Sequence, residues 1–423
     1  MPPAERPAGL RVTALAVSAQ LGGTERVLLD FAARAFEFDI ALSVVTPRDG
    51  PLIAILNKLG VPAHVVPASR SMLRGSQRAR ALATAPLALA GLYRWSRRLA
   101  EHPAVRDADV LYSVSFKTHL ATLPPFTPAV GRLGGRAVVW HLHEFPPGAT
   151  GRAWRELARR YPDAVIANST PVRDAWYLPP NRPTAQPPVV IPNGVDLDRF
   201  HPRDRTFWMH DQLGIPREDR ILGMPAVLAR WKGQLEVIEG FAQIADEFPE
   251  AHLVLVGGSI YDTAAEDRYE RELHGALARW REGGLTRVHH LPFQPKIELV
   301  YPELDLAIHY SLRPEAFGRV VLEAMACGTP VVAAAEGGPR EILTEGGWLV
   351  EPRKPAALAA ALASALRVPT HTLRQLGAQG RVRAEDHFSA RRFAKRVAEV
   401  LAGVSRPGAS SPPAAPPVPP ASR

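Results

Sequence analysis

Two glutamates eight positions apart, Glu315 and Glu323, sit in the run Arg313 to Val332, RPEAFGRVVLEAMACGTPVV. Glu315 lies in a turn signal, Pro-Glu-Ala-Phe-Gly. Glu323 is embedded among Val320, Val321, Leu322, Ala324, Met325 and Ala326. A carboxylate buried in so apolar a stretch costs on the order of several kcal/mol if nothing meets it. Either the helix turns it to water, or a polar group meets it. The run predicts a loop, a helix, a turn and a strand at Val331-Val332. A loop feeding a helix offers free backbone N–H groups to an anion. A phosphate at Gly318 to Val320, with a carboxylate one to two turns into the helix, suggests a nucleotide-sugar site. Arg319 stands four residues before Glu323, but an exposed pair of that spacing contributes only ~0.3–0.5 kcal/mol. That cannot offset burial, so the spacing favours a ligand for Glu323.

Other residues could complete such a site. Arg230 and Lys232 bracket Trp231 in a loop that enters a helix. Cations there neutralise a diphosphate, and Gly233 lets the backbone approach it; the plainer reading is a solvated basic loop. Gly22-Gly23 permits positive φ and close backbone approach at a strand-to-helix turn, either as a tight turn alone or as a phosphate or acceptor contact. The pair is not G-x-G-x-x-G, so it is no dinucleotide fingerprint. His143 follows an apolar strand end, where an imidazole can orient a ligand hydroxyl. His141 shares its face and lies one pleat further back, which makes it the more buried, structural member. His119 has no assigned role. Two acidic strings, Asp107-Ala108-Asp109 and Asp196-Leu197-Asp198, read as turn aspartates rather than metal ligands.

Composition narrows the setting. The 423 residues exceed one ordinary core, which predicts two domains. One cysteine, Cys327, excludes an intramolecular disulfide and a Cys-rich metal site and fits a reducing compartment, the cytoplasm. No apolar run approaches the ~20 residues of a membrane span. Ala356 to Val368 is Ala-rich and reads as a packed helix. A formal charge of +9 is compatible with nucleic acid, anionic lipid or phosphorylated ligands. No nucleic-acid motif accompanies it, so nucleic acid is not expected as a partner. Ser71 to Arg98 is basic and apolar. It reads either as a peripheral contact with an anionic membrane, at the inner face of the plasma membrane, or as an ordinary helix with a solvated basic face.

Positioning these residues requires alternating strands and helices. Strands are expected at Arg11 to Val17, Ile40 to Val45, Ala63 to Pro67, Val110 to Val114, Val138 to His141, Ala164 to Ala167 and Val189 to Ile191. A second series follows a charged, Pro-bearing stretch, Asp198 to Arg220. It has strands at Ile221 to Leu228, His252 to Val256, Val288 to Leu291 and Leu306 to His309. Helices are expected at Thr24 to Ala35, Gly233 to Phe248, Ala264 to Glu282 and Ser389 to Leu401. Such alternation implies parallel sheets covered by helices. The expected division is an N-terminal Rossmann-like domain over 1–200 and a C-terminal one over 201–386. A helix over 387–404 packs back toward the first domain, and a Pro-rich disordered tail follows over 405–423.

In these motifs the chain resembles the retaining GT-B fold glycosyltransferases of family 4. The E-x7-E signature, Glu315 to Glu323, carries most of the resemblance. Gly22-Gly23-Thr24-Glu25-Arg26, Trp140 to Glu144, Asn168-Ser169, Ile191 to Asp196, Trp231 to Gln234, Leu253 to Gly258 and Gly337 to Glu341 follow in family order. The resemblance implies an α/β GT-B fold, two doubly wound domains facing a cleft. It implies a sugar moved from a nucleotide diphosphate sugar to a glycan, lipid-linked or small-molecule acceptor, with retention, without metal and without another cofactor. His143 and Glu315 become the catalytic-site contacts. Gly22, Gly23, Arg230, Lys232, Phe317, Gly318, Arg319, Val320 and Glu323 become the donor-binding set, with Glu323 on the ribose. The base is placed near Phe293 and Gln294. One departure stands out: the family's Gly-Arg pair falls on Ala226 and Val227, and Arg230 is the displaced candidate. The alternatives are a nucleotide-sugar epimerase or a phosphorylase on the same fold, or a non-catalytic sugar-binding module.

Overall fold

The computed structural model describes residues 9–69, 72, 81–123, 136–148, 150–177, 187–259 and 264–405. The Pro-rich tail beyond Ser405 lies outside them, as does most of 71–80. The described chain forms two compact units.

The first unit holds seven parallel strands in the order β3-β2-β1-β4-β5-β6-β7. They are β1 (Leu10–Leu15), β2 (Ile40–Thr46), β3 (Ala63–Val65), β4 (Val110–Ser113), β5 (Ala137–Leu142), β6 (Ala164–Ala167) and β7 (Val189–Val190). Parallel strands are covered on both faces and so read as near-continuous apolar runs, which is why the sequence located them. The order reverses between β1, which pairs with β2 on one side, and β4 on the other. The helix Gly23–Ala32 buries Val27, Leu28 and Phe31 on one stripe. The helix Ala390–Ser405 buries Phe393, Ala394, Val397, Ala398 and Leu401 in the same core. This unit ends at Gly194, not at residue 200, and resumes at Ala390. A Cβ on Gly194 would stand 2.5 Å from the Ala390 Cα, so only glycine allows that approach.

The second unit holds six parallel strands in the order β10-β9-β8-β11-β12-β13. They are β8 (Arg220–Pro225), β9 (Ala251–Val256), β10 (Val288–Leu291), β11 (Leu306–His309), β12 (Val331–Ala334) and β13 (Gly347–Val350). Here the order reverses between β8 and β11. The unit begins at Val195 because Val195 bridges to Ser389 and is buried with Phe200 beside Tyr301. One expected helix ends early, and another helix was not expected. The helix expected to reach Phe248 is Gln234–Ala242. Pro249 disfavours helical backbone at Phe248, and the chain leaves in turns that still bury Ile244 and Phe248. The helix Thr370–Phe388 had no clear sequence signal, since its apolar residues form no continuous stripe. It packs through small residues: a Cβ on Gly377 would lie 2.0 Å from the Gly328 carbonyl, and Gly380 faces Met325. That contact backs the helix Arg319–Ala326, which carries Glu323.

Candidate active site

In open parallel sheets, ligands bind beyond the carboxyl ends of the strands at the point where strand order reverses. In the second unit this point lies past β8 and β11. Past β8 comes the turn Arg230–Lys232; past β11 comes the loop carrying Glu315. Their backbones are tied, for the Leu312 N–H donates to the Trp231 carbonyl at 2.7 Å. Gly233 has φ +80°, and a Cβ there would reach within 2.3 Å of the Tyr310 carbonyl. Gln234, buried, donates to the Val227 carbonyl and accepts from the Tyr269 hydroxyl, closing the loop from behind.

The two loops bring Lys232 onto Glu315. Nζ donates to Oε2 at 2.7 Å, with both side chains about five-sixths buried (16% and 17% exposed), and also stands 4.0 Å from the Trp231 ring centre. Ser311 Oγ donates to the same Oε2 at 3.0 Å, and His309 Nε2 lies 3.3 Å from it. Burial works to raise the Glu315 carboxyl. The Lys232 ammonium and the His309 hydrogen bond outweigh it and hold the group well below the usual carboxylate range. His309 and Ser311 escaped the sequence reading. The available signal was a polar pair, two apart and so on one face, at the end of the apolar strand Leu306 to Ile308.

The Glu315 loop is set by glycines behind it. Its N–H donates to the Glu336 carbonyl and its carbonyl accepts from the Gly338 N–H. A Cβ on Gly337 would sit 2.1 Å from the Glu315 carbonyl oxygen, and one on Gly338 2.4 Å from that of Phe317. Phe317 is buried, and Gly318 starts the helix Arg319–Ala326 with φ +101°. A helix start of this kind leaves its first N–H groups without acceptors inside the helix.

Glu323 is buried but not bare. Arg319 Nη2 stands 3.2 Å from one carboxylate oxygen, and the Tyr301 hydroxyl donates to the other at 2.9 Å. The sequence treated the Arg319 pair as an exposed one. With 14% and 8% of the side chains exposed it is a shielded pair, and Tyr301 supplies the second donor. Tyr301 lies 22 residues from Glu323, too far for local spacing to show. Each oxygen still has acceptor capacity for a hydroxyl.

Arg230 is turned elsewhere. Its Nη1 donates to both oxygens of Glu236, at 2.7 and 2.9 Å, and half its side chain is exposed. Phe293, 46% exposed, lies past β10 against Gly258 at the end of β9. Gln294 beside it donates to the Pro292 carbonyl.

In the first unit the reversal point lies past β1 and β4. Gly22 caps the helix Gly23–Ala32 with φ −77°, and neither glycine adopts positive φ, contrary to the expectation. A Cβ on Gly23 would meet nothing within 4 Å. The chain's own packing thus leaves Gly23 unexplained and the space beside it open. Glu25 folds back on the Gly22 and Glu25 N–H groups, and burial raises its carboxyl to about 7, with Glu144 adding to the effect.

Near the end of β5, His141 is fully buried and its Nδ1 pairs with the Tyr112 hydroxyl. The half-buried His143 ring lies 4.0 Å from the His141 ring. His119 is buried against Trp140, its Nδ1 2.7 Å from Ser113 Oγ. Burial first, then the neighbouring His143, pushes both His119 and His141 well below the ordinary imidazole value, so both are neutral. His143 lines a small hollow with Ser115, Phe116, His119, Glu144 and Trp176.

In each acidic string one aspartate is engaged within the chain. Asp109 is held by Arg11 at 2.6 Å, and Asp196 accepts from the Asp198 and Arg199 N–H groups. Among the described residues, no group of three or more His, Cys, Asp or Glu is placed to hold a metal. No described helix is long and apolar enough to cross a membrane.

Comparison with known proteins matches both units. Residues 21–199 match the family described as glycosyltransferase family 4, and residues 207–383 match glycosyl transferases group 1. The D-inositol 3-phosphate glycosyltransferase of Corynebacterium jeikeium is 38% identical over 183 residues, 41% of this chain and 42% of that protein. The protein of the same name from Thermobispora bispora is 33% identical over 247 residues, 56% of this chain and 55% of its own. The chain thus spans about half the length of the curated relatives it matches. Anabaena HepE, crystallised with UDP and glucose, superposes with a TM-score of 0.75 at 26% identity, covering 93% of this chain and 99% of that one. Sucrose-phosphate synthase from Thermosynechococcus elongatus, at 20% identity and TM-score 0.71 over 92% of this chain and 97% of its own, shares the fold. With both sheets, their reversal points and both family matches in agreement, the chain belongs to the GT-B fold glycosyltransferases.

Proposed function

We propose that the protein is a retaining, metal-independent glycosyltransferase of family 4 that takes its sugar from a uridine diphosphate sugar. The observation that carries this reading is the convergence of Lys232, Glu315 and the Gly318-capped helix at one strand-order reversal. In this reading the diphosphate lies against the first N–H groups of that helix and takes one proton donor of the Lys232 ammonium, which has three. Gly318, Arg319 and Val320 supply the cradle, with Phe317 packed beneath it. Glu323 accepts from the ribose hydroxyls, and the base rests on Phe293 with Gln294 at its edge. Glu315 accepts from hydroxyls of the sugar that moves. Gly22, Gly23 and His143 contact the sugar or the acceptor. Arg230 takes a donor role only by exchanging Glu236 for phosphate. The uridine nucleotide is chosen because HepE holds UDP with glucose, at 26% identity over nearly the whole chain.

The protein positions reactants and stabilises charge on the departing diphosphate, whose oxygen takes the acceptor proton on the same face. The acceptor is a glycan, a lipid-linked saccharide or a small polyol. The curated relatives are named for D-inositol 3-phosphate, which makes polyol phosphates the first compounds to screen. The helix Ala81–Glu101 exposes Leu87 and Leu89 ahead of Arg94 and Arg97, which fits peripheral contact with an anionic membrane. Sedimentation with anionic vesicles, absent with neutral ones, tests that contact.

The donor site is tested by calorimetry with UDP on the wild type and Glu323→Gln. Binding by the wild type, weakened about 10–100-fold in the folded variant, is expected; equal affinities would remove Glu323 from the site. Transfer should persist in excess chelator, and loss restored only by a divalent metal would overturn the metal-free mechanism.

A further inference from the structure

We infer that His309 and Ser311 are positioning residues that grip Glu315 by one oxygen and leave the other for a hydroxyl of the transferred sugar. This rests on the donor-site reading above. Among the described residues, all three donors around the carboxylate fall on Oε2: Lys232 Nζ at 2.7 Å, Ser311 Oγ at 3.0 Å and His309 Nε2 at 3.3 Å. None meets Oε1. An ionised carboxylate only accepts, so His309 must present Nε2–H to it. Its Nδ1 is buried and meets no hydrogen-bond partner among the described residues. The imidazole is thus committed to Glu315, with 4% of its side chain exposed. Ser311 Oγ lies 3.4 Å from the same Nε2, which completes a closed set of groups on one side of the carboxylate.

The arrangement solves a competition. Lys232 serves both Glu315 and the diphosphate, and phosphate oxygens draw the ammonium toward themselves. If Lys232 were the sole donor on Glu315, binding the donor would release the carboxylate to swing. His309 ends β11 and is fixed by the sheet, and Ser311, two residues further on, is buried just beyond it. They hold Oε2 while Lys232 is shared, and Oε1 keeps its aim.

The test separates nucleotide binding from sugar handling. UDP affinity is measured by calorimetry. Hydrolysis of UDP-glucose, UDP-galactose and UDP-N-acetylglucosamine is followed by UDP release, using the sugar the wild type turns over fastest. In H309A/S311A, kcat/KM for that sugar is expected to fall about 10–100-fold, as for loss of hydrogen bonds to a charged group, with UDP affinity within about 3-fold of wild type. His309→Gln, whose amide N–H reaches the Nε2 position, should recover to within about 5-fold, and His309→Asn, which is too short, should not. Wild-type kcat/KM in the double variant would overturn the proposal. So would a parallel fall in UDP affinity, which marks a collapsed loop rather than a misaimed carboxylate. If the double variant does not fold, equal losses in His309→Gln and His309→Asn overturn it. A wild type that binds no UDP overturns the donor-site reading itself, and this proposal with it.

Discussion

The reversal points of the two sheets are built from opposite chemistry. Past β8 and β11, the second unit gathers charge: Lys232 on Glu315, Arg319 on Glu323. At the ends of β4 and β5, the first unit gathers buried neutral groups: Tyr112 within β4, His141 within β5 and His119 just beyond β4, all kept uncharged by burial. A charged cluster stays buried only when its members answer one another, so its parts are interdependent and its geometry is specific. A neutral cluster loses less when one member changes, but it resists protonation. On the proposed function, the second unit holds the anion, and the first contacts hydroxyls through His143, backed by this neutral cluster.

The sharpest way to break this contrast is Lys232→Ala. It strips the cation from the diphosphate and leaves the Glu315 carboxylate with His309 and Ser311 alone. UDP affinity should fall about 100-fold or more. The Glu315 carboxyl should then titrate higher, because burial is no longer outweighed by the ammonium. Calorimetry measures the first effect, and UDP binding that survives unchanged would dissolve the idea of an anion site. His143→Ala makes the matching cut in the first unit. Loss of this contact to sugar or acceptor should cost transfer about 10–100-fold and leave UDP affinity within about 2-fold. A fall in UDP affinity instead would mean that the two clusters do not divide the labour in this way.

The same contrast explains what the sequence could reveal. Strands of a parallel sheet are apolar throughout, and β6, β10 and β11 were legible to the residue. Glu323 was conspicuous as a charge among Val, Leu, Ala and Met. Its partners were not: Arg319 was visible but undervalued, and Tyr301 comes from a separate turn before β11. Lys232 and Glu315 lie 83 residues apart, and only the β8–β11 pairing brings their loops together. The error at Gly22-Gly23 has a different origin. The pair was read as allowing both positive φ and close approach; neither glycine has positive φ, and a Cβ on Gly23 would meet nothing of this chain, so only the approach of another group is left to explain it.

Acid sensitivity sharpens the first unit's half of the comparison. His119 and His141 have depressed values in the folded state, so their contribution is present above the ordinary imidazole pKa of about 6.5 and is lost as pH falls below it. Glu25 acts in the opposite sense. Its carboxyl is raised to about 7, so the folded state takes up a proton that the unfolded state does not until near its ordinary value of 4.5. Between those limits Glu25 offsets one of the two histidine protons. Together the three groups leave a shallower dependence on pH than the two histidines alone would give.

Glu25→Gln separates these contributions. The amide keeps a carbonyl oxygen for the Gly22 N–H and never ionises. Above pH 7 the wild type carries the cost of a buried carboxylate, on the order of 3 kcal/mol from its shift. The variant should therefore be more stable by about 1–3 kcal/mol at pH 8, less whatever the weaker amide hydrogen bond forfeits. The gain should shrink as pH falls and vanish near pH 4.5, so the variant's stability drops more steeply on the acid side by about 1.4 kcal/mol per pH unit. Urea unfolding at a series of pH values reads both effects. A gain that does not vary with pH would mean that Glu25 is not a buried, titrating carboxyl. The offset to His119 and His141 would then have to come from another group, and the neutral cluster of the first unit would stand without its acidic counterweight.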